Sequence, residues 1–153
     1  MKKIRDYRKL LNATTTTTLA DLKSTYRGLV KQWHPDRHAP GSPEHTEAEQ
    51  HSKAIIEAYH FLVSIAPETK AAGLAAYTAT TQTAGISEIN FVDAVLEIKF
   101  VDGSAYEYFG VPKPMYEKLV YAPSPTRFAR RHIAHAFLYR QAQKKDVVDV
   151  GEG

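Results

Sequence analysis

Residues 19–38 read LADLKSTYRGLVKQWHPDRH, and this stretch decides the fold of the N-terminal half. Leu22, Tyr26, Leu29 and Trp33 recur at i, i+4, i+7 and i+11, the seam of an amphipathic helix that must be buried against a partner. Lys23, Arg27 and Lys31 recur every four residues and lay a positive stripe along the solvent side. Pro35 lacks an N–H and biases His34 away from the α region, so the spacing predicts a helix over 19–33 broken at His34-Pro35-Asp36. A given triplet arises by chance in a chain of this length with a probability on the order of 1%, so its flanks carry the argument.

Upstream, Tyr7, Leu10 and Leu11 mark a short first helix. It is expected to stop before Asn12, because the threonines at 14–18 make poor helix interior. Thr18 reads as the N-cap of the next helix, with Asp21 three residues on. Downstream, a loop passes Pro40, Gly41 and Pro43, and a third helix is signalled over 44–64 by Ala48, Ser52, Ile55, Tyr59 and Leu62 on one face. Two antiparallel helices with matching seams bury each other, which forces the loop carrying the triplet to project.

Residues 66–85 are rich in alanine and threonine, and read as a linker or as a short fourth helix over 68–77. Beyond 85 the hydrophobic period changes from helical to alternating, which marks a second unit. Strands are expected over 86–91, 95–101 and 104–109, with Asp102-Gly103 as a two-residue type I′ turn. Gly110-Val111-Pro112 ends the last of these, and Met115, Leu119 and Val120 suggest a short helix. The expected fold is α+β in two small domains: a helical hairpin domain over 1–65, the 66–85 segment, and a small antiparallel sheet with one or two short helices over 86–142. A charged tail, 143–153, is expected to fray.

Composition excludes several function classes. The chain has 153 residues, 43% hydrophobic and 24% charged, the proportions of a folded globular protein. It has no cysteine, which removes disulfides, thiolate nucleophiles and cysteine-ligated zinc. The basic start leads into Tyr7-Arg8-Lys9 where a secretory signal needs an apolar run, and no stretch approaches the roughly 20 apolar residues of a membrane span. A cytoplasmic protein without a membrane partner is therefore expected. Five of the seven histidines fall between 34 and 60, but no spacing among them fits a ligand motif, so neither metal nor cofactor is expected. No nucleophile elbow accompanies the serines, and an independent enzyme is not expected. A net charge of +3 implies no polyanion by itself.

Residues 5–64 resemble a J-domain, the module by which DnaJ-type co-chaperones engage DnaK-type heat-shock chaperones. The resemblance is carried in order by Asp6-Tyr7, Leu10-Leu11, Leu22-Lys23, Tyr26-Arg27, Leu29, His34-Pro35-Asp36-Arg37, Ile55, Ala58-Tyr59 and Leu62. It implies a docking site and no catalytic residue: His34, Pro35, Asp36 and Arg37 with Lys23, Arg27 and Lys31 contact the chaperone and trigger its ATP hydrolysis. In that picture the lysines and arginine steer, and Asp36 makes a short charge-assisted bond. Gly28 and Gln32 stand where the family often has Lys or Arg, Ser52 and Ile56 also depart from the common pattern, and Glu68-Thr69-Lys70-Ala71-Ala72 replaces a basic ending. Neither a glycine- and phenylalanine-rich region nor a zinc-ribbon module follows, so a full-length general co-chaperone is not expected.

Residues 86–140 resemble the KTSC domain, through Tyr106-Glu107-Tyr108-Phe109-Gly110-Val111-Pro112, Tyr116, Leu119, Ser124, His132-Ile133, Phe137 and Tyr139. Thr126 stands where a glycine is usual and Arg130 where an asparagine is usual. The function of that family is not established and RNA binding is a suggestion for it; the module is expected here to target a client protein, a ribosome or RNA. Arg127, Arg130, Arg131, Arg140, Lys144 and Lys145 give six cations between 127 and 145 with no acid among them, interleaved with Phe128, His132, His135, Phe137 and Tyr139. Tyr106 and Tyr108 share one sheet face and serve either as packing or, with Arg127, Arg130, Arg131, His132 and Arg140, as a binding surface. The alternative reading of the whole chain is thus a nucleic-acid-binding protein with a J-like appendage.

Overall fold

The computed structural model describes residues 1–142 of the chain, and the acidic tail with Lys144 and Lys145 lies outside the described residues. The described chain is α+β and separates into two compact units, the first ending at Ala72 and the second starting at Gly73.

The first unit is helical. Helix α1 (Lys2–Leu10) ends at Leu11, and Asn12 turns the chain in the left-handed region, φ 50°, which asparagine tolerates better than most residues. Helix α2 (Leu19–Gln32) starts at Thr18, whose hydroxyl accepts from the Asp21 N–H at 3.1 Å. Helix α3 (Pro43–Ser64) starts from Ser42, which accepts from the His45 N–H at 3.1 Å. The facing seams interlock: Leu22, Ala48, Ile55, Ala58, Phe61 and Leu62 are buried, and Tyr26 stacks on Tyr59 with ring centroids 4.0 Å apart. Tyr7 of α1 leans on Phe61, and its hydroxyl donates to the Glu57 carboxylate.

Helix α4 (Pro67–Thr83) occupies the alanine- and threonine-rich stretch, and the boundary between the units falls inside it. Within it the Thr81 and Thr83 hydroxyls donate back to the carbonyls of Tyr77 and Ala79, at 2.9 and 2.6 Å, which satisfies the hydroxyls without stabilising the helix. Thr80 and Thr81 are also buried, so tertiary packing overrides their low helix propensity. At the other end, the Glu68 carboxylate accepts from the Leu19 N–H at 2.6 Å, capping the start of α2 within the first unit.

The second unit is a four-stranded antiparallel meander of β1 (Ile86–Val92), β2 (Val95–Phe100), β3 (Ala105–Phe109) and β4 (Leu138–Gln141), neighbours in that order. Between β3 and β4 the chain forms α5 (Lys113–Val120) and α6 (Pro125–His132). Leu96, Ile98, Phe100, Tyr106 and Tyr108 point to the core, where they meet Leu119, Ala129 and Ile133 from the helical layer. Tyr77 of α4 enters the same core. Its hydroxyl donates to the Ala134 carbonyl at 2.6 Å, which leaves it to accept from Tyr108 at 3.0 Å.

The two hairpin turns differ from the reading of the sequence. Asp102-Gly103 is not a type I′ turn: Gly103 alone is left-handed, φ 93°, and its N–H reaches the Phe100 carbonyl while the Phe100 N–H reaches that of Ser104. This is a three-residue loop closed by a left-handed glycine. Asp102 holds it by accepting from the Ser104 N–H and hydroxyl and from Thr80, bonds that keep its carboxyl below the ordinary range. The two-residue turn is Asp93-Ala94, with φ of 48° and 63° between the paired Val92 and Val95. Both positive angles are those of type I′, taken without a glycine.

Candidate functional site

The end of α2 is built to hold a short turn outward. Trp33 closes the helix, with its N–H on the Leu29 carbonyl. Its own carbonyl accepts from the Ser52 hydroxyl at 2.8 Å, and its ring stacks on His51 at 4.0 Å. Two consecutive residues of α3 therefore anchor the point from which the turn departs. His34 is extended, φ −66° and ψ 127°, as a residue before proline should be, and Pro35–Arg37 forms one turn of tight helix. His34 Nδ1 accepts from the Asp36 N–H at 3.1 Å, so the imidazole acts as the cap of that turn. This geometry requires Nδ1 to be the unprotonated nitrogen.

The side chain of Asp36 is left 88% exposed, 3.6 Å from His34 Nδ1. Arg37 turns back: its Nη1 faces the carbonyls of Lys31 and Gln32 at 3.4 and 3.3 Å, among the last carbonyls of α2. The guanidinium braces the helix end, and Asp36 is the charge that points away. Lys23, Arg27 and Lys31 are exposed along α2. Of the seven residues read as a docking set, Pro35 and Arg37 shape the turn, His34 caps it, and Asp36 with the three cations faces solvent. Ser52 and His51, the braces from α3, carry no local signal of this role, because their partner lies 18 to 19 residues away.

The histidines do not converge. His51 is stacked on Trp33 and His45 lies 3.8 Å from Glu49, and the described residues hold no group of three ligand-type side chains around a common point. No helix among the described residues is long and apolar enough to cross a membrane.

In the second unit the residues read as a binding surface divide. Tyr106 and Tyr108 are 3% and 1% exposed, so the two tyrosines belong to the core and offer no ring to a ligand. Burial pushes the Tyr108 hydroxyl up to about 12 and raises that of Tyr77 further, with the neighbouring Tyr108 adding to the effect. Arg140 Nε donates to Glu107 at 2.7 Å across the β3–β4 pair, and its guanidinium lies 5.7 Å from the Phe109 ring centre. Arg130 Nε donates to the Thr81 carbonyl at 2.9 Å, near the end of α4. Arg127, Arg131 and His132 remain exposed on α6, His132 against Phe128 at 4.7 Å. The two positions that depart from the usual KTSC pattern hold the same stretch of chain, since Thr126 Oγ1 accepts from the Ile86 N–H at 3.2 Å.

The first unit is thus a helical hairpin with a braced, acid-tipped turn, and the second is a small antiparallel sheet unit. Comparison with known families names both: residues 6–71 match the DnaJ domain and residues 88–137 match the KTSC domain. The chain thus carries an N-terminal DnaJ domain and a C-terminal KTSC domain. Over 62 residues it is 45% identical to the chaperone protein DnaJ of Thermotoga maritima, and equally to that of Thermotoga sp. strain RQ2. Against the chaperone protein DnaJ of Chlorobium chlorochromatii it is 42% identical over 58 residues. These matches cover 40%, 40% and 38% of this chain but only 16%, 16% and 14% of the relatives, so the likeness is to one module of those proteins.

Proposed function

We propose that this protein is a co-chaperone that docks on a DnaK-type heat-shock chaperone and stimulates its ATP hydrolysis, while its KTSC domain directs the pair to a client protein, a ribosome or RNA. The observation that carries the reading is the Asp36 carboxylate, 88% exposed at the tip of a turn fixed by His34, Ser52 and Arg37. A pre-formed turn loses little freedom on binding, so a charge-assisted bond from Asp36 to a cation of the chaperone contributes nearly its full strength. Lys23, Arg27 and Lys31 raise the rate of encounter with an acidic surface. The protein supplies no reacting group and acts on the partner's ATPase. Its place of action is the cytoplasm, where such chaperones meet their clients.

The exposed Arg127, Arg131 and His132 on α6 support the targeting role. From 108 to 142 the sequence has six Lys and Arg against one Glu, whereas from 86 to 107 it has five acids against Lys99. The first three strands and the segment that follows them thus carry opposite charge, and α6 is the side suited to a polyanion such as RNA.

The test is the steady-state ATPase of a DnaK-type chaperone with the full chain and its His34→Gln and Asp36→Asn variants. Wild type should stimulate, and each variant should lose at least about tenfold of that stimulation, the equivalent of one hydrogen bond to a charged group. Equal stimulation by all three rules the proposal out.

A further inference from the structure

Strand β1 forms one edge of the sheet, and the direction of its backbone groups follows from β2. The Phe100 N–H donates to the Ser104 carbonyl, away from β1, and the Val101 N–H donates to the Gly85 carbonyl, toward it. Alternation along β2 then turns Val95, Glu97 and Lys99 to their partners Val92, Asn90 and Glu88, so the N–H and C=O of Ile89 and Phe91 point outward. No described residue bonds to these outward groups. At the start of the strand Thr126 Oγ1 accepts from the Ile86 N–H at 3.2 Å, so α6 closes the edge there and leaves it open from Ile89 onward. Beside the open edge lies a cleft of about 370 Å³, lined by Ile86, Glu88, Tyr116, Val120, Pro125 and Thr126. On β2 and β3 the core-facing Leu96, Ile98, Phe100, Tyr106 and Tyr108 are buried, whereas Ile86, Ile89 and Phe91 of β1 and Tyr116 of α5 are only partly so. The cover of the core is thus unfinished at this edge. Strand β1 also lacks the usual guards of an exposed edge, having no proline, no lysine and no charge directed inward.

We infer that this edge binds an extended segment of a client polypeptide, added to the sheet as a further strand, with apolar side chains alternating with lysine or arginine. An extended backbone matches the repeat of the donors and acceptors on Ile89 and Phe91, and its alternate side chains then fall into the cleft. Charge complementarity selects the rest of the occupant. The chain has no cation between Lys70 and Lys99, Glu88 is 55% exposed with Lys99 3.7 Å away, and Asp93 is exposed at the far end of the strand. A second copy of β1 would set these acids against their own kind. The cations of α6 do not oppose a basic segment, because Arg127 and Arg131 share a helix face turned away from Pro125 and Thr126. The inference deepens the targeting role proposed above and rests on it for the choice of a client among the targets.

The experiment follows by fluorescence anisotropy the binding of a short labelled peptide of alternating valine and lysine to the full-length chain. Wild type should bind it about fivefold more tightly than the same peptide with glutamate in place of lysine, and Glu88→Lys should narrow that preference. An added strand turns every second amide to the edge. Methylating the valine amides alone, or the lysine amides alone, should therefore abolish binding in one case and spare it in the other. Ile89→Pro removes an N–H that the fold does not use and should weaken binding at least about tenfold, with near-ultraviolet dichroism of the buried tyrosines to check the fold. The methylated peptides decide the matter if that variant does not fold. Methylated peptides that bind alike, or a wild type that prefers the glutamate peptide, overturn the inference. It is equally overturned by RNA that binds wild type but not a folded Ile89→Pro variant, or by a wild-type dimer that Ile89→Pro splits, since either gives the edge to another occupant. ATPase stimulation measured without peptide keeps the two roles apart. Ile89→Pro should stimulate a DnaK-type chaperone as wild type does, and Asp36→Asn should bind the peptide as wild type does. A chain that binds the peptide in this pattern without stimulating supports the edge and removes the docking role.

Discussion

The cations of α2 stand in solvent, whereas Arg130 and Arg140 of the second unit are tied to a carbonyl and a carboxylate. The same contrast holds for the aromatic residues. Tyr26 and Trp33 lie half-exposed in the first unit, while Tyr77, Tyr106 and Tyr108 are buried together in the second, Tyr77 and Tyr108 joined by a hydrogen bond and Tyr106 edge-on to Tyr77. The difference follows from geometry. Three cations at four-residue spacing on the outer side of a two-helix hairpin meet no acceptor among the described residues, so they stay displayed. In the second unit Arg130 of α6 lies next to an unfilled carbonyl near the end of α4, and Arg140 of β4 lies opposite a cross-strand carboxylate, and each arginine fills the acceptor it faces. A count of charges in sequence therefore overstates the binding capacity of the second unit more than that of the first.

Alkaline titration should separate the units most widely. The Tyr77 and Tyr108 hydroxyls, and to a lesser degree those of Tyr106 and Tyr139, are raised by burial, so the folded second unit keeps protons that its unfolded chain gives up near pH 10. Its stability is then fully present below about pH 10 and falls as the pH climbs through 12. Tyr108 alone accounts for about 3 kcal/mol. Chemical denaturation followed by near-ultraviolet dichroism from pH 8 to 12 measures this, and a flat profile would break the contrast. Next in size is Tyr77→Phe, which leaves the Ala134 carbonyl and the Tyr108 hydroxyl without their partner. It should cost about 1–3 kcal/mol in the same denaturation experiment. The smallest effect compares two arginines: Arg130→Ala should cost about 1 kcal/mol by uncovering the Thr81 carbonyl, and Arg27→Ala should stay within about 0.5 kcal/mol of wild type. Equal losses from both would show that display and structural use are not divided between the units in this way.

What the sequence makes legible tracks how local each cause is. The Thr18 cap and the break at Pro35 are written within one or two helical turns and are found in the structure, and of the matched seams Leu22, Ala48, Ile55 and Leu62 are buried while Tyr26, Leu29, Trp33, Ser52 and Tyr59 are partly so. The turns are harder. Asp102-Gly103 has the composition of a tight hairpin turn, yet the register of β1 against β2 puts the strained pair at Asp93-Ala94. Alanine at φ 63° is disfavoured locally, and what outweighs it is the inward set of Leu96, Ile98 and Phe100 on β2. The extent of α4 is obscured for a similar reason. Its later threonines are helical through burial against residues 20 or more positions away, which a reading by propensity does not see. The anchoring of the docking turn by Ser52 and His51, and the engagement of Arg130 and Arg140, are long-range contacts of the same kind.

Tyr77 lies outside the residues that match the KTSC domain, yet it fills that domain's core. A fragment cut at residue 88 would therefore expose a slot lined by Tyr106, Tyr108 and Tyr139 and strand two polar groups at its base. Anyone grafting this module onto another protein should carry the chain from Gly73, since the helix that precedes the sheet is cargo rather than packaging.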